Sequence, residues 1–130
     1  MDPPKPRRPA RKPLKRMSTE ELFDFFIDRS LEMKRADDWM ENGAYNRAHK
    51  IVRDIREELK QRPGDQRHAL LPLLAHRNIQ VRLNAAIATL ALSPAAEEAL
   101  KGIAPLGYCA QAIDAANLLK AMAAGRYKPS

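Results

Sequence analysis

Apolar residues recur along the chain at helical spacing in six stretches, and none alternates strictly as a half-buried strand would. The others are arranged around residues 70–92, LLPLLAHRNIQVRLNAAIATLAL: a short apolar run holding a proline, a polar turn, then a longer helix over 79–92. On that helix Leu83, Ala86, Ile87 and Leu90 share one face, while Val81, Ala85, Ala88 and Leu92 make a second. A helix apolar on most of its circumference is buried from several sides. Residues 79–92 are therefore predicted to form the central helix, with neighbours on both flanks. Its polar interruptions are Gln80, Arg82, Asn84 and Thr89.

The first helix is predicted over 19–35. Ser18 can cap it and Glu21 can complete a capping box. Leu22, Phe23, Phe26, Ile27 and Met33 form its apolar stripe, with Ser30 inside it, and the three phenylalanines (Phe23, Phe25, Phe26) are read as core. Trp39 and Met40 are expected to pack and close the first hairpin, the alternative being an exposed anchor for a partner. Asn42-Gly43 reads as the break. The second helix is predicted over 44–61, with Tyr45, Ala48, Val52, Ile55 and Leu59 inward and His49, Arg53, Arg56 and Lys60 in a row on the other side. Pro63-Gly64-Asp65 ends it, and Asp65 caps a third helix over 66–75 that Pro72 should bend in its last turn. Asn78 caps the central helix, and Ser93-Pro94 starts a short fifth helix over 94–103. The sixth, over 108–124, turns Ala112, Ala115, Ala116, Leu119 and Met122 inward and closes at Gly125. Six helices in three short-looped hairpins predict an all-α domain.

The run L-P-L-L-x-H-x-N-x-x-V-R-x-x-A-A-x-A-x-L over 71–90 resembles a HEAT repeat. In that pattern Pro72 kinks the first helix, Asn78 caps the turn, and the second helix opens with Val81-Arg82 and the pair Ala85-Ala86. The small alanines allow close helix approach, and Arg82 can reach carbonyls or acids in adjacent repeats. A shift of thirty lays Leu70, Leu73, Ala85, Ala86 and Leu92 on Leu100, Ile103, Ala115, Ala116 and Met122. Gln111 and Ala112 then fall where Val81 and Arg82 stand, so this second copy is degenerate. A stack this short needs terminal units with atypical outer faces, which suits the first and last hairpins. MSTEEL, AYNRAHKI, RPGDQRHALLPLL and VRLNAAIATLALSPAA together resemble a small bacterial family, the domain of unknown function two-zero-one-nine. Where that family tends towards QAGDAG, this chain has residues 111–116 as QAIDAA, which suggests a tighter helix. The resemblance implies an α-α superhelix of about three helical hairpins, HEAT/armadillo-like, and brings no established activity, cofactor or catalytic residue.

Charge changes the picture only at the N-terminus. The 130 residues carry a net charge of +7, and residues 1–17 hold seven Lys/Arg against Asp2, so the rest of the chain is near neutral at +1. Residues 1–16 contain five prolines and no apolar periodicity. Like charges repel and no core offsets the ordering entropy, so a disordered tail is expected over 1–17. The helical domain follows over 18–125, and 126–130 is a C-terminal tail. Three readings of the N-terminal tail stand: a basic arm for nucleic acid or acidic surfaces, a solvated leader without a specific role, or residues preceding a natural start at Met17. The single cysteine, Cys109, lies amid small apolar residues and is expected to be a buried structural thiol in a reducing compartment. With no apolar h-region and no run of ~18–20 apolar residues, a cytoplasmic location without membrane contact is the default.

No arrangement in the chain demands chemistry. HExxH, GxSxG, a phosphate-cradling glycine loop and a cysteine cluster are all missing. His68 and His76 lie eight apart across Pro72 without an acidic neighbour at helical spacing, so no zinc site is expected. No catalytic, cofactor or metal-ligating residue is expected. Asp114, amid alanines, is the one carboxylate whose surroundings could raise its pKa. It is expected to cap or to pair with Arg82, so that Asp114→Ala destabilises the fold. The leading expectation is a non-catalytic module binding a protein partner in a groove of the second, fourth and sixth helices. An accessory or immunity-type protein that blocks a neighbouring toxin or enzyme is its specific form. Candidate contacts are His49, Arg53, Arg56, Lys60, Arg82 and Trp39. The alternative is nucleic-acid binding through the same basic row and the tail, and an enzyme comes third.

Overall fold

The computed structural model describes residues 11–130, and all regular structure among them is helical. Helix α1 spans Thr19–Asp38. Ser18 Oγ accepts from the Glu21 amide at 3.0 Å while the Glu21 carboxylate accepts from the Ser18 amide at 3.1 Å. That reciprocal capping box satisfies two orphan donors and fixes where the helix starts. Helix α2 covers Asn42–Gln61. Asn42-Gly43, expected to be the break, lie in its first turn. The chain reverses two residues earlier, where Glu41 N–H donates to Ala36 O at 2.8 Å and Met40 N–H to Asp37 O at 3.1 Å. This is a Schellman closure with Met40 in the left-handed region (φ 56), a position that glycine or asparagine usually fills. Backbone hydrogen bonding thus outranks the local turn signal.

Residues Gln66–Ala75 form a 3-10 helix throughout, where a bent α-helix was expected. Pro72 lacks an amide and would clash with the carbonyl four residues back, so the tighter winding prevails. With three residues per turn, Arg67, Leu70 and Leu73 stack on one buried face. Asp65 caps the segment from left-handed backbone (φ 54). Helix α3 covers Ile79–Thr89 and ends short of Leu92. Asn78 Oδ1 accepts from the amides of Gln80 (2.9 Å) and Val81 (3.2 Å), and His76 Nδ1 accepts from the Asn78 amide at 3.0 Å. Helix α4 spans Pro94–Ile103 behind the Ser93 cap, and α5 spans Ala110–Ala123, closed by Gly125 (φ 73).

Three hairpins result: α1 with α2, the 3-10 segment with α3, and α4 with α5. Helix α3 touches α1, the 3-10 segment, α4 and α5, as its two apolar faces require. Val81, Ala85 and Ala88 join Leu22, Phe26, Met33, Ile55, Leu59 and Leu70 in one core. Leu83 and Ala86 join Leu100, Ile103 and Ala115 in a second. The alanines at 85 and 86 are fully buried, which lets flanking helices approach α3 on both sides. The architecture is an all-α superhelix of three hairpins.

The expected disorder of 1–17 fails where it can be seen. Leu14–Arg16 form a short 3-10 turn, and Leu14 and Met17 pack against the first core. Arg62 Nη2 donates to the Leu14 and Met17 carbonyls at 3.1 and 2.6 Å. Lys12 pairs with Glu21 at 2.9 Å, and the Arg11 guanidinium lies 5.1 Å from the Phe25 ring centre. Low apolar content predicts disorder only for a segment with nothing to cover, and here a half-buried leucine and two cations have partners on α1 and α2. Residues 1–10 of that tail lie outside the described residues.

Candidate partner-binding face

The basic row on α2 is real as a row but not as a continuous field. His49 stacks parallel on Tyr45, with ring centres 6.2 Å apart, and is only partly surrounded by cations. Burial first, then Arg53 and Arg56, hold its pKa below the ordinary value, against the opposite pull of Asp114. Lys50 pairs with Asp54 at 2.9 Å and Arg62 with Glu58 at 3.4 Å. Arg53 is exposed and forms no ion pair among the described residues. Arg56 and Lys60 line a crevice of about 110 Å³ that the C-terminal residues Tyr127, Pro129 and Ser130 share with Arg67 and Ile87. Lys60 Nζ donates to Ser130 O at 3.2 Å, and Arg67 Nη1 does so at 2.9 Å while its other nitrogens clasp Asp65 at 2.8 and 2.6 Å. The expected groove is thus closed at its Lys60 end by the chain's own last residues.

Three further expectations are corrected. Arg82 neither joins the basic row nor meets Asp114. Its Nη1 donates to the His76 and Arg77 carbonyls at 2.9 and 3.0 Å, satisfying acceptors left open at the turn before α3. Cys109 is exposed at the start of α5, because that turn leaves it outside both cores. Trp39 is 74% exposed and Met40 85%, so neither packs into the first hairpin. Trp39 stands on the surface, as in the alternative reading.

Beside Met40 lies a cavity of about 400 Å³, lined by Asp37, Met40, Asn42, Tyr45, Ala110 and Asp114. It sits where the α1–α2 turn meets the first turns of α5. Burial and then the nearby Asp37 charge push the Asp114 carboxyl pKa up, with His49 opposing. Burial, then Asp114 and Asp37, push the Tyr45 phenol up as well. Neither carboxylate has an ion-pair partner among the described residues. Other large apolar side chains stand exposed around the start of α5: Leu106, Tyr108, which is fully exposed, and Ile113.

Behind the cavity runs a buried chain of polar side chains. Asn84 Nδ2 donates to Ser30 Oγ at 2.9 Å, and Gln80 Nε2 donates to Asn84 Oδ1 at 2.9 Å. Gln111 Nε2 donates both to Gln80 Oε1 at 3.0 Å and to Asp37 Oδ2 at 3.3 Å. Gln111 Oε1 is left as a buried oxygen without a hydrogen-bond partner. Turning the amide over does not help, since an oxygen would then face two acceptors. Asp37, Tyr45 and Gln111 carried no signal as site residues in the sequence. For Gln80 and Asn84 the hint was their four-residue spacing inside an otherwise apolar helix. Among the described residues no group of three or more His, Cys, Asp or Glu side chains is placed to hold a metal ion, and no helix is long and apolar enough to cross a membrane.

The chain is similar to known proteins over most of its length. The crystal structure of the protein RPA1889 from Rhodopseudomonas palustris CGA009 superposes with a TM-score of 0.87 at 37% sequence identity, covering 92% of this chain and 100% of that one. No curated protein matches the chain significantly. A family model described as Domain of unknown function (DUF2019) matches residues 20–123, which run from the first turn of α1 to the last residue of α5. The chain belongs to the DUF2019 family.

Proposed function

We propose that the protein is a non-catalytic helical-repeat module that docks a protein partner at the end of the stack where the α1–α2 turn meets α5. The carrying observation is the exposed pair Trp39 and Met40, of which Met40 lines a cavity whose two carboxylates have no ion-pair partner among the described residues. A solvent-facing tryptophan next to a concave surface is the residue type that dominates binding energy at interfaces. The strain at Met40 points the same way, since a residue held in the left-handed region on a surface turn gives up stability for its position. An accessory or immunity-type role, blocking a bacterial toxin or enzyme in the cytoplasm, is the specific form of this reading. Nucleic acid is the competing partner. It is disfavoured by the near-neutral body and by the engagement of Lys60, at one end of the α2 row, with the carbonyl of the last residue.

The test is a binding comparison between the full chain and Trp39→Ala or Tyr108→Ala, using extract of the native host. Both side chains are exposed, so melting temperature should stay unchanged. A partner held by the parent should be lost about tenfold or more, the size of one interface hot spot. Retention of duplex or single-stranded nucleic acid that survives deletion of residues 1–16 and weakens steeply with salt would reverse the choice.

A further inference from the structure

We propose that the cavity between the α1–α2 turn and α5 seats an arginine side chain of the partner. This inference rests on the interaction-module reading and names the chemistry of its anchor. The charged side chains lining the cavity are both carboxylates. Asp37 and Asp114 line it, and neither has an ion-pair partner among the described residues; the one side-chain donor to Asp37 is the buried Gln111 amide. The helix ends nearby do not reverse the sign. The starts of α2 and α5 contribute roughly half a positive charge each and the end of α1 roughly half a negative one, against two full carboxylate charges. A cation is therefore the complementary occupant.

The choice among cations follows from shape and donor count. A divalent metal lacks the ligand set among the described residues. An ammonium is a compact point charge that keeps its water. A guanidinium presents five N–H donors in a planar fork, enough to bridge two carboxylates, and its face can stack on the ring of Tyr45. A volume of about 400 Å³ is at the low end for ligand pockets, and it fits one long side chain entering between Met40 and Asn42 on one wall and Ala110 on the other. Trp39 would then cover the aliphatic stem or the residues beside it, excluding water from the charged contact.

The probe is N-acetyl-L-arginine methylamide, titrated into the isotope-labelled full chain by NMR alongside its neutral isostere, the citrulline derivative. Saturable shifts at the amides of Asn42, Tyr45, Ala110 and Asp114, weakened by salt and about tenfold smaller in affinity for citrulline, are expected. Asp114→Asn, at a partly exposed position outside the buried polar chain, should fold normally and weaken arginine binding by a similar factor. Equal response to citrulline, shifts confined elsewhere, or arginine binding unaffected by Asp114→Asn overturns the assignment. Host extract separates this failure from that of the module itself: a partner kept equally by the parent and Asp114→Asn refutes the arginine seat and leaves the module standing. Specific arginine shifts in a chain that captures no protein would refute the module.

Discussion

Asp114 carries the clearest residue-scale consequence. Its carboxyl pKa is raised, first by burial and then by Asp37, so the native state holds this proton more tightly than the unfolded chain does. The associated stability is fully present below the unfolded value near ~4 and is lost as pH rises through the folded pKa. At neutral pH the ionised group therefore opposes folding. Asp114→Asn is expected to leave the protein at least as stable at pH 7, within about 0.5 kcal/mol of the parent or above it, with the difference shrinking towards pH 3. Thermal melts across that range check it, and a clear loss of stability at pH 7 contradicts it. The sequence expectation was the opposite, a structural role in which Asp114 caps or pairs with Arg82. Alanine neighbours do identify a carboxylate in unusual surroundings, and that much was legible. The partner was not, because Arg82 is already committed to two carbonyls of its own turn.

At the scale of elements, the faces of α3 were legible and its polar content was not. Val81, Ala85 and Ala88 against Leu83 and Ala86 announce two cores through spacing alone, and both cores exist. Helix starts at Ser18, Asn78 and Ser93 were equally readable, since each cap acts within three residues of itself. The 3-10 winding of Gln66–Ala75 and the reversal at Met40 were missed because tertiary packing and backbone closure decide them. The buried chain from Ser30 to Asp37 was missed because its links join residues up to 74 apart. Asn84 holds the middle of it. Asn84→Ala strands the Ser30 hydroxyl and a donor of Gln80 in the interior, each worth roughly 1–3 kcal/mol. A loss of about 3 kcal/mol in chemical denaturation is expected, whereas a surface-like effect below about 0.5 kcal/mol contradicts the assignment.

For the whole molecule, residues 11–17 before α1 are part of the folded body. A half-buried Leu14 is worth about 1 kcal/mol and the Arg62 bond to the Leu14 carbonyl about as much again. A chain beginning at Met17 should therefore be less stable by about 2 kcal/mol than one beginning at Arg11, with a melting temperature several degrees lower. Equal melting temperatures would return residues 11–16 to the status of a passive leader. The basic excess of the N-terminus thus divides: Arg11 and Lys12 sit against Phe25 and Glu21, and Lys5, Arg7 and Arg8 lie outside the described residues.

Helical repeats in general touch only their neighbours, so such arrays can fray from either end while the middle survives. Here the amides of Gln80, Asn84 and Gln111 tie the first and last hairpins through the middle one. A slip of α5 by a single residue would offer an alanine, Ala110 or Ala112, in place of the glutamine and sever the tie. The three hairpins are accordingly keyed to one phase, and the tie makes each hairpin's register depend on the other two.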